Sequence, residues 1–170
     1  RLAVGGDSAG GNLAAAMCLM AADRGGPEIA LQVLVYPVTD ARSDTASYGR
    51  NAEGYSLTKV TMEWYWDQYL SRKDDAANPY AAPLQAKSLV GQPCALVITA
   101  EFDPLCDEGE AYAKRLTEAG VETTATRYDG MIHGFFSMGA VVDKGQQAVD
   151  EASEALRSAF ARSGALGAAD

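Results

Sequence analysis

The fold is decided by the N-terminal stretch Leu2-Ala3-Val4-Gly5-Gly6-Asp7-Ser8-Ala9-Gly10-Gly11. Its apolar beginning is typical of the end of a strand, and the Ala-, Leu- and Met-rich residues 13–22 predict a helix buried on more than one face. Between them, Gly6-x-Ser8-x-Gly10 has the spacing of a sharp strand-to-helix turn that raises a serine hydroxyl above a sheet. Glycine on either side would admit the close backbone approaches of such a turn. The simpler alternative is that Ser8 only caps the helix.

Strands and helices are predicted to alternate along the rest of the chain. Further strands are predicted at 29–38, 94–100 and 121–128, and further helices at 58–70, 104–118 and 141–160. We expect the polar stretch 39–57 to be a loop, Asp103-Pro104 to cap the third helix, and Asp129-Gly130 to end the last strand in a turn. This alternation predicts an α/β fold with a mainly parallel sheet and flanking helices.

Composition excludes several classes of protein. The 170 residues include 14 Lys and Arg against 23 Asp and Glu, a formal net charge of −9. This balance argues against nucleic-acid partners and against docking on anionic membranes. No stretch approaches about 18 uninterrupted apolar residues, so we expect no membrane span. Three cysteines and a single histidine form no metal pattern, which favours a cytoplasmic protein without a metal or cofactor.

A carboxylate follows the strand 94–100 at the edge where parallel sheets carry their functional groups. Position favours Asp103, although aspartate before proline is also a common helix cap. Glu101 lies closer to the strand and Asp107 lies one turn into the helix, so both are rivals. Three acids, including the rival Asp107, are expected on the solvated first turns of the helix, where they suit its dipole: Asp107, Glu108 and Glu110.

His133 is the only histidine of the chain, and it follows the strand 121–128. If the chain performs serine chemistry with an imidazole base, His133 must be that base. The order Ser8, Asp103, His133 is the order of the α/β-hydrolases. In that triad Ser8 attacks an acyl carbonyl, His133 transfers the proton, and Asp103 orients the imidazole. The N–H of Ala9, at a helix N-terminus, would stabilise the oxyanion.

Four segments resemble the hormone-sensitive-lipase-like family of α/β-hydrolase esterases and lipases: residues 6–13 (GDSAGGNL), 34–40 (LVYPVTD), 101–109 (EFDPLCDEG) and 133–135 (HGF). The resemblance covers essentially the whole chain and implies the α/β-hydrolase fold. It matches the family's nucleophile to Ser8, its acid to Asp103 and its base to His133. The resemblance therefore selects Asp103 over Glu101 and Asp107, a choice that spacing leaves open.

The family also carries a His-Gly-Gly-Gly-type segment before the nucleophile, and the present sequence contains none. The resemblance implies that residues 1–163 are the C-terminal portion of a catalytic domain, followed by a frayed tail at 164–170. We expect two kinds of partner: a small acyl-ester substrate, and either an N-terminal segment or a second copy of the chain at the open sheet edge. Alone, residues 1–170 are expected to be poorly folded or nearly inactive.

The leading functional hypothesis is a serine carboxylic-ester hydrolase that acts through an acyl-enzyme on short-to-medium acyl esters. Two alternatives stay open: an α/β-hydrolase peptidase or thioesterase with the same triad, and a non-catalytic binding domain that retains the fold. An aromatic stripe on the second helix is expected to pack in the core rather than to line an acyl pocket: Trp64, Tyr65, Trp66 and Tyr69.

Overall fold

One parallel sheet of four strands organises the molecule, whose computed structural model describes residues 1–166. The strands are β1 (Ala3–Asp7), β2 (Leu31–Val35), β3 (Ala95–Phe102) and β4 (Thr123–Ile132), in the spatial order β1-β2-β3-β4. Each neighbouring pair is parallel, so the carboxyl ends of all four strands lie at one edge. The predicted α/β fold with a parallel sheet is therefore confirmed.

Helices cover both faces of this sheet. They are α1 (Ala9–Arg24), α2 (Ala46–Arg50), α3 (Lys59–Tyr69), α4 (Cys106–Glu118) and α5 (Asp143–Leu166), with short 3-10 turns at Lys73–Ala77, Pro83–Gln85 and Phe135–Met138. Buried side chains of α1 and α4 share one core cluster with the sheet, and those of α5 share another on the opposite face. None of the helices within residues 1–166 is both long and apolar enough to cross a membrane.

Strand β2 explains why the segment around it is almost continuously apolar in the sequence. All five of its residues are buried. Leu34 faces α1 and α4, whereas Val33 and Val35 pack on the α5 side. Because both faces of a central parallel strand are covered, it lacks the alternation of polar and apolar residues that a half-exposed strand shows.

A third cluster lies beyond the carboxyl edge of the sheet and joins α2 and α3 to the loops that follow β2 and β3. Tyr48 of α2 is fully buried there, together with Met62 and Trp66 of α3 and with Leu105. The stretch 39–57 was expected to be a loop, and this expectation is wrong over Ala46–Arg50, which forms α2. A five-residue helix is too short to show hydrophobic periodicity, so packing rather than pattern determines it.

Two further expectations about element ends are also wrong. Helix α4 begins at Cys106, and Asp103-Pro104 forms a turn before it, in which Asp103 Oδ1 accepts a hydrogen bond from the Leu105 N–H at 2.9 Å. Asp129-Gly130 lies inside β4, because a register shift between Ala100 and Phe102 accommodates extra residues there. Gly130 takes a φ of 79° in this bulge.

The last helix reaches further than its apolar pattern predicts. Helix α5 ends at Leu166, so 164–166, the first part of the predicted frayed tail, belong to the helix. Residues 167–170 of that predicted tail lie outside the described residues.

Glu108 was expected on a solvated turn, and the structure corrects this expectation. Its side chain is fully buried, and Oε1 accepts hydrogen bonds from the backbone N–H groups of Thr39 (2.6 Å) and Asp40 (3.2 Å). Oε2 has no hydrogen-bond partner among the described residues. Burial raises the pKa of Glu108 to about 8, because desolvation disfavours the ionised form. Glu108 thus joins α4 to the loop after β2 as a largely protonated acid at neutral pH.

This raised pKa predicts how stability depends on pH. The folded protein binds the Glu108 proton more tightly than the unfolded chain does, so the stabilisation is complete below about pH 4.5 and is lost as pH rises through about 8. We expect Glu108→Gln, which cannot ionise, to melt close to wild type at pH 5 and above it at pH 9. Thermal melts of both proteins from pH 5 to 9 check this. A difference in Tm that stays constant across that range would contradict it.

Candidate active site

Ser8 occupies the turn between β1 and α1 in a backbone conformation that is rare outside glycine, with φ 54° and ψ −119°. Neighbouring backbone groups hold it there. Its N–H donates to the Val35 carbonyl at 2.9 Å, and its carbonyl accepts from the N–H groups of Asn12 (3.1 Å) and Val38 (3.3 Å). The Ser8 side chain makes no capping hydrogen bond to α1. The simpler alternative, that this serine only caps the helix, is therefore wrong.

Close backbone contacts explain two of the glycines around Ser8. A Cβ on Gly6 would lie 2.4 Å from the carbonyl carbon of Gly10, and a Cβ on Gly11 would lie 2.9 Å from Cβ of Pro37. A Cβ on Gly10 would meet nothing nearer than an Asp7 carboxylate oxygen at 4.0 Å. The expected need for glycine on both sides of the serine thus holds at Gly6, whereas on the other side the restricted position is Gly11 rather than Gly10.

The structure brings Ser8, His133 and Asp103 together. The Oγ atom of Ser8 lies 3.0 Å from His133 Nε2, and His133 Nδ1 lies 2.7 Å from Asp103 Oδ2. These contacts join residues separated by 125 and 30 positions in the chain. Each of the three residues follows the carboxyl end of a different strand. They meet because β1, β3 and β4 end at the same edge of the parallel sheet.

Burial increases along this chain of contacts. Ser8 is half-buried, the His133 side chain is 13% exposed, and the Asp103 side chain is fully buried. The imidazole also packs against the Tyr36 ring, with centroids 4.5 Å apart. Burial and the adjacent Asp7 carboxylate raise the pKa of Tyr36, so its phenol stays neutral and donates to Asp7 at 3.4 Å. The imidazole is thereby held on one side by an aromatic ring and at Nδ1 by a buried carboxylate.

The rival carboxylates have other partners. Glu101 Oε2 accepts a hydrogen bond from the Gly130 N–H at 2.7 Å. Asp107 accepts from the Ser47 N–H at 2.7 Å and from the Arg50 guanidinium at 3.0 Å. The geometry therefore favours the same acid, Asp103, that the resemblance selects.

A cavity of about 500 Å³ opens beside the Ser8 hydroxyl. Ala9, the first residue of α1, contributes to its lining, and its N–H belongs to the helix turn whose N–H groups have no intrahelical acceptor. The remaining lining residues are mostly apolar: Asn12, Leu13, Val38, Met62, Tyr65, Trp66, Gln68 and Tyr69. Such a cavity can accommodate an apolar group beside the Ser8 hydroxyl.

The aromatic stripe of α3 has two environments. Trp66 is buried in the core cluster beyond the sheet edge, as expected, and it also lines the cavity. Tyr65 and Tyr69 line the cavity while about half of each side chain is exposed. Trp64 is 57% exposed and is not among the lining residues. The expectation of core packing therefore holds for Trp66 and is wrong for the other three.

Residues 1–166 contain no cluster of three or more His, Cys, Asp or Glu side chains that could hold a metal ion. All three cysteines, Cys18, Cys94 and Cys106, are free thiols.

Comparisons with known proteins place the chain in a family. A family model described as the alpha/beta hydrolase fold matches residues 1–137. The chain belongs to the α/β-hydrolase family. Carboxylic ester hydrolase LipN of Mycobacterium tuberculosis is 43% identical over 167 residues, which are 95% of this chain and 44% of the relative. Ethyl acetate hydrolase of Pseudomonas putida is 39% identical over 158 residues, 92% of this chain and 50% of the relative.

A solved structure of an ester hydrolase is similar to this chain in both fold and sequence. An ester hydrolase from the metagenome of Lake Arreo, complexed with a derivative of bipyridine phosphonate, superposes with a TM-score of 0.89 at 46% identity. The match covers 95% of this chain and 51% of that one. The resemblance to hormone-sensitive-lipase-like esterases is thus confirmed. This α/β-hydrolase chain spans about half the length of the curated relatives it matches.

Sequence reasoning missed polar groups that shape the site of this α/β-hydrolase. Asn12 is buried in the cavity wall, and its amide donates to the carbonyls of Val38 (2.8 Å) and Ala81 (2.7 Å). One signal was available, since Asn12 lies one helical turn after Ser8 and interrupts an apolar helix. Tyr36 lies within a predicted strand. Its role was missed because the local sequence does not indicate its φ of 33° or its contact with the His133 ring.

The two glycines that flank the serine provide a matched pair of variants. Gly6→Ala forces its Cβ into the Gly10 backbone, so we expect it to lose about 3 kcal/mol of stability or more. The Cβ of Gly10→Ala would lie in free space, so we expect the free energy of unfolding of this variant to stay within about 0.5 kcal/mol of wild type. Denaturant unfolding of both variants checks the difference. Equal destabilisation by the two substitutions would show that the contact at Gly6 is not the constraint.

Proposed function

We propose that this chain carries the catalytic triad of a serine carboxylic-ester hydrolase, with Ser8 as nucleophile, His133 as general base and Asp103 as the acid that orients it. The observation that supports this proposal is the continuous line of contacts from Ser8 Oγ through the imidazole to Asp103 Oδ2, at 3.0 and 2.7 Å. Nucleophile, base and orienting acid in hydrogen-bond reach are the requirements of this chemistry. The names of the relatives, which include carboxylesterase and ethyl acetate hydrolase, support the same reaction class.

Acylation begins when Ser8 Oγ attacks the ester carbonyl carbon while His133 Nε2 takes the hydroxyl proton. Asp103 accepts the Nδ1–H bond throughout and stabilises the imidazolium that forms. The N–H of Ala9 donates to the oxyanion of the tetrahedral intermediate. When the intermediate collapses, the carbon–oxygen bond to the alcohol breaks, and His133 returns its proton to the departing oxygen. The acyl group remains on Ser8.

Deacylation uses the same groups with water as the nucleophile. His133 takes a proton from water, the hydroxide attacks the acyl carbonyl, and Ser8 Oγ leaves with the proton that the imidazole returns. The apolar cavity beside Ser8 favours short-to-medium acyl esters over charged substrates, because its walls offer mostly carbon surface.

Removal of the nucleophile is the direct test of the proposal. In the full-length protein we expect Ser8→Ala to lower kcat for p-nitrophenyl butyrate by at least about a thousandfold, since the remaining groups cannot form an acyl-enzyme. The variant should also lose the covalent adduct that an organophosphonate forms on wild-type protein. Hydrolysis at the wild-type rate by Ser8→Ala would overturn the assignment, and the absence of any adduct on wild-type Ser8 would favour a non-catalytic binding domain.

Two neighbouring aromatic residues of α3 test the role of the cavity. Tyr65 lines it and Trp64 does not, although the two side chains are similarly exposed, at 51% and 57%. We expect Tyr65→Ala to lower kcat/KM for p-nitrophenyl hexanoate about tenfold relative to the acetate, because the longer chain loses contact with the removed ring. Trp64→Ala is the control and should leave this ratio within about twofold of wild type. A change in the ratio for Trp64→Ala alone would contradict the assignment of the cavity.

A further inference from the structure

We propose that Asn51 and Ser47, at the end of and within the short helix α2, are positioning residues that hold the acid of the triad where His133 can reach it. The inference rests on the proposed function, and it concerns the turn 101–107, hereafter the acid turn. The acid turn runs from the last residues of β3 through Asp103 to the first residues of α4. It lies where the strand hydrogen bonds end, so other groups must satisfy its backbone.

The side-chain amide of Asn51 satisfies two backbone carbonyls of the acid turn. Its side chain is 4% exposed, and Nδ2 donates to the carbonyl of Glu101 at 3.0 Å and to the carbonyl of Asp103 at 3.1 Å. One amide thus joins two carbonyls of the acid turn, including that of the triad acid itself. A buried carbonyl that loses its donor costs free energy, so the turn would have to rearrange if this amide were removed.

Ser47 holds the next part of the same turn. It is fully buried, its Oγ donates to the Pro104 carbonyl at 2.6 Å, and the Asp107 N–H donates back to Oγ at 3.2 Å. The Ser47 N–H also donates to the Asp107 carboxylate at 2.7 Å. Residues 47 and 51 are four positions apart and therefore lie on one face of the helix. That face contacts the acid turn at successive points along it.

Asp103 needs this support because its partner His133 also lies in a turn just beyond a strand. The register between β3 and β4 shifts between Ala100 and Phe102, and a single pair, Phe102 with Ile132, follows the shift before Asp103 and His133 leave the strands. Asp103 Oδ2 must nevertheless lie within 2.7 Å of Nδ1. A displacement of about 1 Å in a catalytic group can cost a hundredfold in rate. The hydrogen bonds from α2 restrict the acid turn at this point.

The experiment compares Asn51→Ala with Gln32→Ala in the full-length protein. Gln32 is a matched control, because its buried amide also donates to a carbonyl, that of Pro93 at 3.0 Å, but at the amino edge of the sheet. We expect Asn51→Ala to lower kcat for p-nitrophenyl butyrate about tenfold to a hundredfold, with KM changed less than about threefold. Gln32→Ala should keep kcat within about threefold of wild type even if it melts at a lower temperature.

A second measurement does not depend on hydrolysis. The proton on His133 Nδ1 gives a downfield NMR resonance when it is held by a carboxylate, and its loss in His133→Gln assigns it. We expect this resonance to move upfield or broaden in Asn51→Ala and to stay in place in Gln32→Ala. If Asn51→Ala fails to fold, Ser47→Ala removes only a hydroxyl and should show the same direction of change, with kcat about threefold to tenfold lower.

An unchanged resonance together with wild-type kcat in folded Asn51→Ala, or in folded Ser47→Ala where Asn51→Ala does not fold, would overturn the inference. An equal fall in kcat for the Gln32→Ala control would also overturn it, since the effect would then follow general stability. Failure of the proposed function has a different signature: Ser8→Ala would keep its hydrolytic rate, whereas the resonance would still report whether α2 holds the acid against the imidazole.

Discussion

The strained backbone of Ser8 is the constraint on which the rest of the site depends. A φ of 54° in a residue with a side chain costs on the order of 1–3 kcal/mol, and it persists only where neighbours fix it. Here the Val35 carbonyl fixes the N–H, and the close approach of Gly6 to Gly10 allows β1 to turn at once into α1. Ser8 and Ala9, the first residue of α1, therefore line one cavity, which is the arrangement that the proposed acyl transfer uses.

The parallel sheet brings together residues that no single sequence motif contains. Because its four strands run in the same direction, residues that follow β1, β3 and β4 meet at one edge even though they are far apart in the chain. The core supports the sheet from both faces: α1 and α4 pack on one face and α5 on the other. Function in such a fold lies in the loops beyond the strands, and here those loops are held by α2, α3 and buried polar side chains.

Much of this arrangement was predictable from the sequence, since the long apolar segments fixed the order of strands and helices and placed Ser8, Asp103 and His133 after separate strands. The parts that could not be predicted are those that tertiary contacts determine. Helix α2 is too short for periodicity, and its Asn51 looks like any polar loop residue until its amide is seen on two buried carbonyls. Glu108 fits the pattern of a solvated helix start, yet packing buries it completely.

The choice of acid shows how environment separates chemically similar groups. Glu101 is exposed and is bound to a backbone N–H, while Asp107 is 30% exposed and paired with a guanidinium, so neither is both buried and free to accept from an imidazole. Glu108 is as buried as Asp103, but its partners are two backbone N–H groups, and burial raises its pKa to about 8. Asp103 alone among these four acids combines full burial with an imidazole nitrogen at 2.7 Å. In the proposed triad, a carboxylate in that setting is stabilised by the positive charge that His133 would acquire on taking the proton of Ser8, and it orients the imidazole before that charge exists.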